Sequence, residues 1–297
     1  MLARCIWPEG YLLFPIISFG QIVYTGTVIN RETKQGVPYA TVGIMKQNTG
    51  TNADGEGHFK LFVNSLKNDT IVISSVGYTT LKIPVDKISS NMLFELQPKE
   101  AILKKVIITG NHHSKTTTLG KSSICGSHYY VTTNYINQVA QHFKTDQINS
   151  FLSEIEICKY GIALIDPART KFRVRIYSMD SLTKAPASDL CDSIIELDVT
   201  GRRIKVNLEK YQITIAEKDF FVAVEWLRIP MNEEKEKSKS SVQKKVYSIY
   251  NPSLAIKTGL NVDLTLENWQ LDYRGNCIPF HLDNKSVTLM ISATIKN

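Results

Sequence analysis

Short runs of β-branched and aromatic residues, separated by turns that contain Gly, Asn, Asp or Pro, succeed one another along most of the chain. Runs of this kind are typical of strands, because successive side chains point to opposite faces of a sheet. The first part of the chain predicts strands over residues 22–29, 40–45, 58–63, 70–74, 79–83 and 92–96. The later part predicts strands over residues 153–160, 171–177, 193–199, 204–208, 212–215, 220–229 and 286–295. Residues 136–143 fit a helix as well as a strand.

Two of the later runs differ in how their side chains are distributed. Residues 220–227 are largely apolar on both faces, which is typical of a central strand covered on both sides and places Trp226 in the core. Residues 172–177 alternate strictly, so that Arg173 and Arg175 share one face and apolar side chains share the other. That polar face is a candidate site for an anionic or sugar-like ligand, and the alternative is a merely solvated face.

The most specific pattern in the chain lies in residues 26–78. Gly26-Thr27-Val28 is followed by Val37-Pro38-Tyr39-Ala40-Thr41-Val42, by Gly50-Thr51-Asn52-Ala53-Asp54-Gly55-Glu56-Gly57-His58-Phe59, and by Ile71-Val72-Ile73-Ser74-Ser75-Val76-Gly77-Tyr78. This order and spacing resembles the carboxypeptidase regulatory-like domain, a small sandwich of the prealbumin-like or immunoglobulin-like type. The resemblance implies an accessory module, since the family is named after a domain beside a zinc peptidase, and it argues against catalysis.

The Gly-rich segment 52–57 predicts a tight turn between two strands, because Asn, Asp and Gly tolerate left-handed backbone angles. Calcium binding is the alternative. An EF-hand loop that began at Gly50 would need a bidentate Glu at its twelfth position, where this chain has Leu61. We therefore predict no metal site here.

Residues 103–110, Leu-Lys-Lys-Val-Ile-Ile-Thr-Gly, are similar to the segment that follows this domain in TonB-dependent outer-membrane transporters of the Bacteroidetes type. The favoured interpretation of these residues is a last strand of the first sandwich. The remaining residues are too few for a plug and a barrel, and they lack evenly repeated membrane strands with aromatic girdles. The resemblance therefore suggests a bacterial envelope protein without suggesting a transporter.

These patterns predict an all-β protein of two domains. Residues 21–110 form a prealbumin-like or Ig-like β-sandwich, residues 111–133 a polar linker, and residues 134–297 a second, jelly-roll-like β-sandwich. The second domain also loosely resembles galactose-binding-type jelly-roll modules. Residues 232–239 carry mixed charge with no apolar side chain, which predicts a mobile surface loop.

The first twenty residues resemble a secretory signal. Arg4 precedes an apolar run over residues 11–19, and Ser18 and Gly20 place small residues before a possible cleavage site. The run is short for a transmembrane anchor and contains Pro15, so we expect no transmembrane span. Residues 8–10, Pro-Glu-Gly, interrupt the stretch between Arg4 and the apolar run. This interruption is consistent with a start codon assigned too far upstream or with a poorly ordered tail.

The composition limits the possible partners and disulfides but does not indicate a function. The chain has 297 residues, 43% hydrophobic content and a formal charge of +7, but its basic residues are scattered, so we expect no nucleic-acid partner. After the signal, four cysteines remain: Cys125, Cys158, Cys191 and Cys277. Export would permit disulfides and three pairings are possible, but the apolar surroundings of Cys158 favour buried free thiols.

No catalytic motif is present. The six histidines show no zinc-binding spacing, no Gly-x-Ser-x-Gly elbow occurs, and no glycine-rich phosphate loop is found, so we predict no catalytic residue and no cofactor. Trp269 and Tyr273 lie in a loop-like segment and are candidates for stacking on a sugar, while a loop Trp that anchors its own domain is the alternative.

The function that we expect is non-enzymatic binding or scaffolding by an exported protein of the periplasm or outer-membrane surface. An envelope protein is the first candidate partner, and a glycan bound through Trp269, Tyr273, Arg173 and Arg175 is the alternative. An unrecognised hydrolase with residues dispersed over loops is a remote third possibility. The sequence does not determine the oligomeric state.

Overall fold

The computed structural model describes residues 22–63, 67–87, 92–99, 115–120, 125, 128–132, 136–160, 169–237, 246–258, 268–282 and 285–297. Strands dominate these residues, and the helical elements among them are three short 3-10 helices at Val85–Lys87, Glu209–Tyr211 and Pro230–Asn232. The all-β prediction is confirmed. Within the described part of the chain, no helix combines the length and apolar character required to cross a bilayer.

The first domain consists of two small sheets that enclose one core. Its strands are β1 (Ile22–Asn30), β2 (Thr41–Ile44), β3 (Thr49–Asn52), β4 (His58–Val63), β5 (Thr70–Ser74), β6 (Leu81–Pro84) and β7 (Met92–Leu96). One sheet has the order β4-β1-β7 and the other β3-β2-β5-β6. Strand β4 alternates exposed and buried side chains, so that Phe59, Leu61 and Val63 point inward as its sequence predicts. They meet Ile71 and Ile73 of the other sheet in the core.

The second domain contains the remaining strands. They are β8 (Thr116–Leu119), β9 (His128–Thr132), β10 (Ile136–Lys144), β11 (Ser150–Cys158), β12 (Thr170–Met179), β13 (Pro186–Asp189), β14 (Ile195–Val199), β15 (Arg203–Asn207), β16 (Thr214–Ile215), β17 (Asp219–Trp226), β18 (Glu233–Lys237), β19 (Val246–Thr258), β20 (Trp269–Asp272), β21 (Cys277–Pro279), β22 (His281–Leu282), β23 (Lys285–Leu289) and β24 (Ile291–Lys296). The main sheet has the order β13-β12-β17-β10-β20-β21, with β14 beside β12. Among the described residues, this domain has two further sheets, with the orders β15-β11-β24-β8 and β18-β19-β23-β22.

Strand β17 is the central strand that its sequence predicts. Phe220, Val222 and Trp226 are buried in the large apolar core on one face. Phe221 and Ala223 are buried on the other face in a separate cluster. The prediction of Trp226 as a core residue is confirmed, and its indole N–H donates to the Pro252 carbonyl over 3.0 Å.

Two local predictions were wrong, and one segment that the sequence left open between helix and strand is a strand. The predicted linker 111–133 contains β8 and β9, which pair with β24 and β19 and so belong to the second domain. The ambiguous segment 136–143 is a strand, because β10 completes its backbone hydrogen bonds between β17 and β20. The predicted loop 232–239 contains β18, whose charged residues pair in register with β19. Residues 103–110 lie outside the described residues, as do residues 1–21 and 238–245.

The preference for free thiols was also wrong for one cysteine pair. Cys125 and Cys158 form a disulfide with Cα atoms 5.5 Å apart. The bond lies in a small buried cluster with Ala255, so the apolar surroundings of Cys158 are compatible with a bonded sulfur. Cys191 and Cys277 are free.

Candidate functional site

The predicted polar face of β12 is turned toward the first domain and is not solvated. The Arg173 side chain is 1% exposed. Its guanidinium donates to the backbone carbonyls of Pro38 over 2.7 Å and Tyr39 over 3.1 Å. Burial lowers the pKa of Arg173, while the nearby Glu225 and Glu196 act in the opposite direction. Arg173 therefore holds the two domains together.

Glu225 of β17 lies at the centre of the charged contact between the domains. It is 3% exposed and accepts hydrogen bonds from the Thr41 hydroxyl over 3.3 Å and from Arg175 over 3.4 Å. Arg175 also makes a bidentate contact with the Asp189 carboxylate, with the shortest nitrogen–oxygen distance 2.6 Å. These pairs balance charges that would be costly to bury alone.

Tyr273 forms a second contact between the domains. Its backbone N–H donates to the Asn48 side chain over 3.1 Å, and its ring lies 4.3 Å from the guanidinium of Arg228. A Cβ atom added to Gly50 would lie 2.3 Å from this ring, and one added to Gly43 would lie 2.9 Å from the Tyr273 carbonyl. The two glycines therefore allow the first domain to approach Tyr273 closely.

Beside these contacts, the two domains leave a polar cleft of about 390 Å³. Ser75, Tyr78 and Lys82 line it from the first domain, and Asn137 and Tyr273 are among the lining residues of the second. Arg175, Asp189 and Glu225 form part of its wall. The cleft is thus built by both domains.

An apolar cavity of about 300 Å³ adjoins the cleft within the second domain. Trp269, Ala140 and Pro186 line it. Gln138 and Tyr177 line both spaces, and they are joined by a hydrogen bond of 2.8 Å from the tyrosine hydroxyl. A ligand could therefore contact a polar and an apolar surface at once.

Several buried polar atoms in these walls have no hydrogen-bond partner among the described residues. In the cleft they are Ser75 Oγ, Asn137 Oδ1 and Tyr273 Oη, and in the apolar cavity Trp269 Nε1. Burial raises the pKa of Tyr273 to about 12, so its hydroxyl is neutral and can donate at physiological pH. Unpaired buried groups of this kind favour a ligand or ordered water that pairs with them.

The structure gathers three of the four predicted site residues. Arg175 and Tyr273 line the cleft and Trp269 lines the adjoining cavity, whereas Arg173 is used in the domain contact. The expectation of an exposed aromatic loop was wrong. Trp269 begins β20 and is 7% exposed, and Tyr273 directly follows β20 and is 4% exposed. Pairing of β20 with β10 and β21 explains their burial.

Sequence reasoning missed the contributions of Ser75, Asn137 and Glu225. Ser75 follows a strand of the first domain and reaches the cleft only because the domains dock. The sequence could have indicated Asn137, because the polar pair Asn137-Gln138 lies near the start of a strand whose later residues are mostly buried. Glu225 likewise interrupts an apolar central strand.

Two other polar clusters have structural explanations. His142 pairs with Asp219 over 2.8 Å and stacks on Phe221, and no hydroxyl or thiol of a described residue hydrogen-bonds to its ring. Among the described residues, Asp54, Glu56 and His58 form an exposed group of possible metal ligands. The Asp54 carboxylate already accepts the backbone N–H groups of Glu56 and His58, which forms the predicted turn.

The geometry defines a two-domain all-β protein with a polar cleft between its domains. Residues 24–108 match the model of the CarboxypepD_reg-like domain, so the resemblance inferred from the sequence is confirmed for the first domain. No curated protein matches the chain. A chain in the solved structure of the infectious bursal disease virus Gx strain is similar at 9% identity and a TM-score of 0.20, over 93% of this chain. This chain spans 63% of that viral chain.

Proposed function

We propose that this chain is a non-enzymatic, exported binding protein of the bacterial cell envelope that presents its two docked domains to an envelope protein. The observation that carries the proposal is the domain contact. Buried Arg173, Glu225 and Arg228 bind polar groups of the first domain. A domain held in this way acts as a fixed support, which suits a scaffold.

Export is supported by two features. The Cys125–Cys158 disulfide is the kind of bond that persists in oxidising compartments such as the periplasm. The N-terminal segment 1–20 has the composition of a secretory signal. We place the protein in the periplasm or at the outer-membrane surface. A bacterium of the Bacteroidetes type is proposed from residues 103–110, and a jelly-roll-like second sandwich from its succession of short strands.

The outer face of the β4-β1-β7 sheet is the proposed contact surface for the protein partner. Val23 of β1 lies opposite Phe62 of β4, and both side chains are exposed. Leu93 of β7 is exposed on the same face, opposite Thr27. Exposed apolar side chains on adjacent strands are typical of interaction surfaces.

Cross-linking and capture from envelope extracts tests this surface. The full chain, a Val23→Glu/Phe62→Glu variant and a Leu182→Glu control serve as baits. Leu182 is 91% exposed in the second domain, so its substitution adds a charge away from the proposed surface. A partner captured by the full chain and the control but lost with the double variant supports the proposal. Equal capture by all three baits contradicts it.

Carbohydrate binding is the second candidate, favoured by the apolar cavity that contains Trp269 beside the polar cleft. Aromatic side chains next to hydrogen-bonding groups are suited to the two faces of a sugar ring. A glycan array with the full chain and a Trp269→Phe variant tests this function, followed by titration with tryptophan fluorescence. Saturable binding that weakens in the variant supports it, and no saturable binding contradicts it.

A further inference from the structure

We propose that the cleft between the domains is a composite binding site for an acidic saccharide, with both domains supplying ligand contacts. This inference rests on the carbohydrate-binding candidate and deepens it. It assigns the polar part of the binding site to both domains and not to the second domain alone. It also assigns the ligand a negative charge.

The first argument is the set of unpartnered polar atoms. Asn137 and Tyr273 have side chains more than nine-tenths buried, and both line the cleft. Asn137 Oδ1 is an acceptor, whereas Tyr273 Oη and Ser75 Oγ can each donate or accept. A sugar hydroxyl can also donate and accept, so neighbouring hydroxyl groups on one ring match this mixture. Ser75 belongs to the first domain, which makes the set composite.

The second argument is the charge left over in the walls. Asp189 and Glu225 are paired with Arg175, and Asp272 is paired with Arg274 over 2.7 Å. Each of these three wall carboxylates has an arginine partner, but Arg175 serves two of them, so these five groups carry a net charge of −1.

Two lysines of the first domain make the charge of the cleft positive: its lining has four basic and three acidic side chains, a net charge of +1. Lys82 and Lys99 are exposed and also line the cleft. No carboxylate of a described residue lies within ion-pair distance of either lysine. A ligand that carries a carboxylate would supply the missing negative partner.

The third argument is the adjoining apolar cavity. Trp269, Leu271 and Tyr177 provide a surface against which the C–H face of a sugar ring can pack. The unpartnered Trp269 Nε1 can donate to a ring or hydroxyl oxygen at the same place. An oligosaccharide could place one ring here and its acidic neighbour in the cleft.

The test is isothermal titration of the full chain with trigalacturonate and with its methyl ester, which has the same rings without the charges. We expect tighter binding of the acid. Tyr273→Phe removes only the unpartnered hydroxyl and should weaken binding about fivefold, the worth of one hydrogen bond. Lys82→Ala/Lys99→Ala should weaken binding of the acid about threefold at low salt, with the difference lost at high salt. Lys60→Ala, on the outer face of β4, is the matched control.

The outcomes distinguish a failure of the cleft proposal from a failure of the carbohydrate-binding function on which it rests. Equal affinity for acid and ester, or unchanged affinity in the cleft variants, overturns the composite acidic site. If Trp269→Phe alone weakens binding, carbohydrate binding stands and the cleft proposal falls. If neither sugar binds, both fall, and the protein-partner function is judged by the capture experiment. Melting curves check that each variant folds, and Ser75→Ala replaces Tyr273→Phe if that variant does not.

Discussion

The two faces of strands β12 and β17 are both buried, but by different means. On one face, Phe172 and Trp226 pack into the apolar core of the second domain. On the other, Arg173 and Glu225 are covered by the first domain and make hydrogen bonds to its residues. Apolar contacts are non-directional and leave few voids, whereas paired polar groups require specific geometry. The cleft and the adjoining apolar cavity both border this second face.

The largest effect is expected on the apolar face. Phe172→Ala should lower the free energy of unfolding by about 4 kcal/mol, because it removes a fully buried ring and leaves a cavity. Urea denaturation measures the loss. Phe62→Ala is the matched control, since this ring is exposed and its loss should cost less than about 0.5 kcal/mol. Equal losses in the two variants would contradict the assignment of the core face.

A smaller but more specific effect is expected on the polar face. Arg173→Met keeps much of the side-chain volume but leaves the carbonyls of Pro38 and Tyr39 without their donor. We expect a loss of about 3 kcal/mol, the scale for breaking a buried charged contact. The domains should also unfold in separate steps, which calorimetry and hydrogen exchange at Tyr39 can detect.

Arg173→Lys sharpens this prediction. Lysine keeps the positive charge but lacks the planar fork that spans two carbonyl groups. It should therefore recover only part of the lost stability. A single cooperative transition of unchanged midpoint in the Met variant would show that the contact does not couple the domains.

The sequence predicted local features well because they depend on neighbouring residues. The strand predicted over residues 58–63 is β4, and the turn predicted over residues 52–57 is formed with a hydrogen bond to the Asp54 side chain. The paired apolar faces of β17 identified a central strand, with Trp226 in the core. In each case, the determining interactions lie within a few residues or follow from strand periodicity.

The cleft could not be predicted in the same way, because it depends on contacts between residues far apart in the chain. Arg173 and Pro38 are separated by 135 positions. Alternation showed that Arg173 leaves the apolar core, but it could not identify the first domain as the cover. Trp269 lay in a segment without a clear strand pattern, and its pairing partners made it a strand. The only features of the sequence that indicated this site were the residue types themselves, arginines on a strand and two aromatic residues close together.

The smallest effect concerns the Tyr273 hydroxyl and depends on pH. Burial raises the pKa of this group from 10.0 to about 12 in the folded protein. Between these values the unfolded chain has lost the proton while the folded protein still holds it. The stability contributed by the protonated group is therefore complete below pH 10 and is lost as pH rises toward 12.

Tyr273→Phe removes this titration and the unpartnered polar atom together. At pH 7 the variant should be as stable as the wild type or slightly more stable, because its ring still packs on Arg228 and the first domain. From pH 10 to 12 the wild type should lose about 2 kcal/mol relative to the variant. Urea denaturation at intervals between pH 7 and 12 measures the difference. Parallel stability curves would mean that the hydroxyl titrates normally, and hence that this part of the polar face is open to water.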